Sequence, residues 1–95
     1  MGKVEIYKLI KNYFADKPVA KVSVFGSFAR GDDDKGSDID ILIEMERPVG
    51  LFALGRYIVD LEGLTNKKID LATTGSLRPE FFKEINKDMK LIYEK

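Results

Sequence analysis

Two aspartates one residue apart, Asp38 and Asp40, interrupt the apolar run at the end of VFGSFARGDDDKGSDIDILI, residues 24–43, and a third, Asp70, stands between Ile69 and Leu71. Strand residues alternate faces, so Asp38 and Asp40 point the same way with Cα atoms about 6.5 to 7 Å apart, while Ile39, Ile41 and Ile43 fill the other face. Asp70 is placed likewise, opposite Ile69 and Leu71, and if the two strands are neighbours three carboxylates converge. Such a cluster repels itself and loses hydration, which a raised pKa or a bound cation relieves. Hard divalent cations, Mg²⁺ above all, take oxygen ligands of this kind and keep positions open for substrate phosphates. Two such ions about 3.5 to 4 Å apart activate an attacking oxygen and stabilise a leaving one.

A D-x-D pair by itself is commonly a solvated strand end. The GSFARG stretch upstream changes its meaning. Gly26 allows a close backbone approach, Ser27 offers a hydroxyl and an amide, and the residues after them can open a helix whose N–H groups attract phosphate. Arg30, one turn past Ser27, is either an exposed arginine or a phosphate contact, and it is carried as a candidate nucleotide-binding residue. A phosphate cradle followed by metal-binding acids reads as a nucleotide site.

The elements that must hold these residues are well punctuated. Ile6, Leu9, Ile10 and Tyr13 fall at helical spacing over Lys3–Phe14, and ADKP at 15–18 stops the run. VAKVSVFG, ending at Gly26, has the β-branched alternation of a strand running into a turn. Residues 31–37 form a polar loop, in which Asp32, Asp33 and Asp34 read as a solvated turn, and SDIDILIEM at 37–45 is a second strand. LFALGRYIVDLEGL at 51–64 has helical spacing, with Gly63 as its stop. NKKIDLAT at 66–73 is a third strand, and SLRPEFFKEINKDM at 76–89 is a final helix with Pro79 in its first turn. KLIYE then ends that helix or makes a short fourth strand. Tyr13, Phe14, Phe52, Tyr57, Phe81 and Phe82 fall at helical spacings and read as core or interface rather than as a base-stacking platform. The organisation is a single α/β domain over residues 1–95.

Composition narrows the chemistry. The 95 residues suffice for one modest core, which buries roughly 60 to 65% of the unfolded chain's surface. The chain has neither Cys nor His, which excludes thiolate or imidazole zinc sites, His-activated nucleophiles and a His general base. Catalysis must run on carboxylates, hydroxyls, Lys, Arg and metals. The 16 basic and 16 acidic residues balance, which weighs against a broad nucleic-acid surface. No apolar run approaches the ~20 residues that span a bilayer, and MGKVEIYK lacks the apolar centre of a signal peptide, so the expected location is the cytoplasm, without a membrane partner.

Two other phosphate or metal motifs fail. GSFARGDD has P-loop glycine spacing, but Asp32 and Asp33 stand where Lys and Ser or Thr should follow. Read as a calcium loop from Asp32, the segment puts Ser37 at the required glycine and Ile43 at the terminal glutamate.

Gly26-Ser27, ten residues, then Asp38-Ile39-Asp40 resembles the G-S-x10-D-x-D signature of the DNA polymerase β nucleotidyltransferase superfamily. Within it the whole chain is similar to the minimal nucleotidyltransferases (MNT): Gly-Ser-x-Ala-Arg-Gly stands at 26–31, Ser-Asp-x-Asp at 37–40, and the later strand acid at Asp70. The resemblance implies a short mixed β-sheet flanked by helices, with Gly26 and Ser27 holding the triphosphate. It also implies that Asp38, Asp40 and Asp70 are the catalytic residues and hold two Mg²⁺ ions, the third acid helping to activate the attacking hydroxyl.

The activity so implied is Mg²⁺-dependent transfer of a nucleoside monophosphate, AMP from ATP, to a hydroxyl. Larger members of the superfamily hold the acceptor on extra domains, so here it must bind across a subunit or partner interface. That fits the MNT role of antitoxin to an all-helical HEPN ribonuclease toxin, modified on a tyrosine by adenylylation. Two alternatives stay open: an antitoxin that masks the toxin by contact alone, and a small-molecule or RNA nucleotidyltransferase acting as a homo-oligomer.

Overall fold

The computed structural model describes residues 2–31 and 38–95. The expected aspartate turn at 32–34 therefore lies outside the described residues, as does Ser37. In chain order the elements are α1 (Lys3–Phe14), β1 (Val19–Phe25), α2 (Gly26–Arg30), β2 (Ile39–Met45), α3 (Leu51–Thr65), β3 (Ile69–Thr73), a 3-10 turn (Thr74–Ser76), α4 (Pro79–Asn86) and β4 (Lys90–Glu94). The strands form one mixed sheet in the order β3-β2-β1-β4. β1 is antiparallel to both β2 and β4, whereas β2 and β3 run parallel, joined through α3. This is an α+β arrangement of a short mixed sheet with helices on its faces.

The two sheet faces are unequal. Ile39, Ile41 and Ile43 of β2 join Val22 and Val24 of β1 in a core closed by Ile6, Ile10 and Phe14 of α1 and by Tyr57 and Leu61 of α3. Tyr13, Phe14 and Tyr57 stack edge to face where the two helices meet, with ring centroids 5.2 to 6.0 Å apart. There the Tyr13 hydroxyl donates to Asp60 Oδ2 at 2.7 Å, and Arg56 Nε lies 3.0 Å from Asp60 Oδ1. Burial and that hydrogen bond push the Tyr13 phenol above its ordinary pKa. The opposite face carries a smaller cluster, Phe25, Leu42 and Ile85, with Phe82, Leu77 and Met89 around it. One short helix, α4, covers it.

Element boundaries depart from the sequence reading in several places, and the second strand begins at Ile39, leaving Asp38 just before it. α3 runs through Gly63 to Thr65 and is stopped by Asn66, which takes the left-handed conformation at φ 57°. The buried residues Leu61 and Thr65 reward the extra turn, and the Thr65 hydroxyl donates back to the Leu61 carbonyl at 2.8 Å. The third strand consequently starts at Ile69, three residues late. The final helix occupies only residues 79–86: Pro79 is its first residue and holds Arg78 extended, while the Thr73 and Ser76 side chains cap the 3-10 turn before it. KLIYE is the strand β4. Phe14 and Tyr57 are buried as expected of core aromatics, but Phe52 (97% exposed) and Phe81 (51%) lie on the surface.

The larger core is what holds β2 flat against its neighbours. Ile41 is fully buried at its centre. Ile41→Ala is expected to cost about 2 to 5 kcal/mol. In urea titration the midpoint should fall while the denaturant slope stays constant.

Candidate functional site

β2 carries its acids on the thinly covered face. In the antiparallel register Asp40 lies opposite Phe25 and Leu42 opposite Ser23, so Asp40 stands on the α4 side of the sheet, one step beyond the Leu42 cluster. In the parallel register Asp40 is directly opposite Asp70, and Ile39 opposite Ile69. Asp38 immediately precedes the strand, where the Ile39 amide donates to the Lys68 carbonyl at 2.9 Å, and its charge is felt at Asp40. Asp38 and Asp70 are exposed and Asp40 is half-buried.

The structure thus brings all three aspartates to one end of the sheet. Burial, the charges of Asp70 and Asp38, and a hydrogen bond with Asp70 raise the Asp40 pKa, while Arg30 opposes the rise. Among the described residues no group of three acids is already arranged as a complete ligand set. The donor chemistry nevertheless fits a hard cation: every donor is a carboxylate oxygen, and Mg²⁺ completes its shell with water and phosphate oxygens.

Gly26 ends β1 and opens α2 with φ +75°, in the left-handed region. A Cβ built there would overlap Asp40 Oδ2 and lie 3.2 Å from Asp40 Cγ. The close approach that this glycine permits is made by the carboxylate of Asp40. Ser27 follows, half-buried, and its carbonyl accepts from the Gly31 amide at 3.1 Å as the chain turns out of the helix. α2 has only five residues, so an anion at its start would meet local N–H groups rather than an extended helix dipole.

Arg30 ends α2 and is exposed, with Nη1 donating to Asp88 Oδ2 at 3.1 Å. It is thus on the surface, as the first of the two sequence readings has it, and its charge is felt at Asp40. Sequence reasoning passed over Asp88, 58 residues away, and no local pattern could have revealed the pair. It likewise missed Lys3 and Lys67, whose ammonium groups stand 5.1 and 5.9 Å from the Phe28 ring on α2.

Comparison with known proteins agrees with this geometry. The family described as nucleotidyltransferase domain matches residues 7–93. A Methanocaldococcus jannaschii protein, provisionally named a protein adenylyltransferase, is 37% identical over 90 residues, covering 90% of this chain and 89% of its own. A solved structure provisionally described as a minimal nucleotidyltransferase superposes with a TM-score of 0.80 at 26% identity, over 92% of this chain and 89% of that one. The fold also recurs, at a TM-score of 0.68 and 16% identity, in a structure of tri-AMPylated Shewanella oneidensis HEPN toxin in complex with MNT antitoxin, covering 94% of this chain and 73% of that one.

Two expectations follow from the Gly26–Asp40 contact and the carboxylate cluster. Gly26→Ala must bear the left-handed φ and the overlap with Asp40, a destabilisation of about 1 to 3 kcal/mol. Part of that cost should disappear in an Asp40→Ala background, a coupling that a double-mutant cycle of thermal melts detects. Asp40 binds its proton more tightly folded than unfolded, so its ionisation costs stability above the folded pKa and costs nothing below the unfolded one. With a chelator present, Asp40→Asn should melt higher than wild type at about pH 7, and the gain should fade as the pH falls to about 4, the ordinary carboxylate range. A pH-independent difference would show that repulsion is not its source.

Proposed function

The chain belongs to the nucleotidyltransferase-domain family, and on that premise we propose that it transfers AMP from ATP to a hydroxyl group of a partner protein. The single observation that carries the reading is the register of Asp40 against Asp70 on parallel strands, with Asp38 two residues back and Gly26-Ser27 across the same end of the sheet. Gly26, Ser27 and Arg30 receive the triphosphate. Asp38, Asp40 and Asp70 would hold two Mg²⁺ ions, which neutralise phosphate charge and polarise the phosphorus under attack.

In the transfer the acceptor oxygen forms a bond to the α-phosphorus, and the bond from that phosphorus to the bridging oxygen of the β-phosphate breaks. Pyrophosphate leaves with the electron pair. The hydroxyl proton passes to Asp70, which is exposed on a different strand from the D-x-D pair and so faces the side from which an acceptor arrives.

The acceptor we propose is a tyrosine of a HEPN-type toxin, which makes this protein the antitoxin of a two-component pair. Its support is the shared fold with the MNT antitoxin found with an AMPylated toxin. No helix among the described residues is long and apolar enough to cross a membrane, and an ATP-consuming reaction suits the cytoplasm.

Asp70→Asn separates transfer from contact. It is expected to retain most ATP affinity and partner binding while slowing transfer by roughly 10² or more, as for loss of a general base or a ligand. Mass spectrometry of the co-purified partner reads the added AMP. A variant that neutralises the partner as well as wild type, with no nucleotide attached in either case, would mean that the protein acts by binding alone.

A further inference from the structure

Beside the carboxylates, an open groove of about 500 Å³ is lined by Ala29, Arg30, Lys87, Asp88, Met89 and Lys90. Its place follows from the strand register. Lys90 lies opposite Val24 of β1, and the next β1 residue, Phe25, lies opposite Asp40. The groove therefore opens at the end of the sheet where Gly26 and Ser27 turn, on the α2 side of the aspartates. Its lining sets three cations against one carboxylate, in a chain whose 16 basic and 16 acidic residues cancel. Lys87 and Lys90 are exposed and have no ion-pair partner among the described residues. Asp88 is engaged with Arg30 at 3.1 Å, both side chains remaining partly exposed at 31% and 43%.

We propose that Lys87 and Lys90, together with Arg30, form the seat of the β- and γ-phosphates of the nucleotide, and hence of the pyrophosphate that leaves. The proposal rests on the nucleotidyltransferase reading above. It adds to that reading two residues from the far end of the chain that lie outside the Gly-Ser and D-x-D segments. A nucleotide whose α-phosphate lies at the aspartates extends its two outer phosphates onto an adjoining surface, and cationic side chains there would share their charge. The groove is the adjoining surface with positive charge to spare. Asp88 then serves as a stand-in: it occupies Arg30 until a phosphate oxygen competes for the same guanidinium.

Calorimetric titration of wild type, Lys87→Ala, Lys90→Ala and the double variant with ATP, AMP and inorganic pyrophosphate, all with Mg²⁺, tests the seat. Both lysines are exposed, and melting curves confirm that the variants fold. The double variant is expected to lose ATP and pyrophosphate affinity by about tenfold or more, with AMP affinity unchanged. Its ATP binding should also depend less steeply on salt, and Lys87→Arg should retain the wild-type preference for ATP over AMP. Asp88→Asn should tighten pyrophosphate binding. ATP affinity unchanged in the double variant, or AMP affinity falling by the same factor, would overturn the seat while leaving the nucleotide reading intact. A wild type that binds neither ATP nor pyrophosphate would overturn both.

Discussion

Everything at the site depends on two parallel strands holding like charges opposite each other. Asp40 and Asp70 would separate if they could, and what prevents it is the pairing on either side of them: Ile39 with Ile69 and Ile41 with Leu71. The buried isoleucines of β2 project into the core beneath α1 and α3. Their burial offsets the repulsion on the opposite face. The same alternation that gives a strand one apolar side therefore gives this one an acidic end.

The second constraint is spatial. Asp40 is half-buried, and its carboxylate fills the space beside Gly26 where a side chain would be. Turn and acid are thus fitted to one another. The glycine lets β1 end within reach of the carboxylates, and the short helix that follows brings Arg30 round to moderate their charge.

Much of this was legible in the sequence. The bounds of α1 follow from Ile6, Ile10 and a proline stop, and the face taken by Asp40 follows from its alternation with Ile39 and Ile41. The partnership with Asp70 could only be stated conditionally, because strand adjacency is a property of the whole sheet. The helix ends were misplaced for local reasons. Gly63 costs an exposed helix little compared with the burial of Leu61 and Thr65, so the left-handed stop falls at Asn66. In the last helix the apolar spacing of Phe82, Ile85 and Met89 persists beyond Asn86, since Met89 packs against the same cluster from the turn that follows. The Arg30–Asp88 pair joins α2 to the approach of β4 and has no sequence signature at all.

The sheet order gives the site's acids supports of unequal stiffness. β2 is paired along both sides, whereas β3 is an edge with one neighbour. The exposed side of β3 is blunted at its start, where the Ile69 amide donates to Glu62 Oε2 of α3 at 3.1 Å. Interior strands open with the whole protein, and edges open at lower free energy. Asp40 therefore stands on a strand held from both sides and Asp70 on one held from a single side. The site is a jaw held from both sides and a jaw held from one, and Asp70 stands on the second.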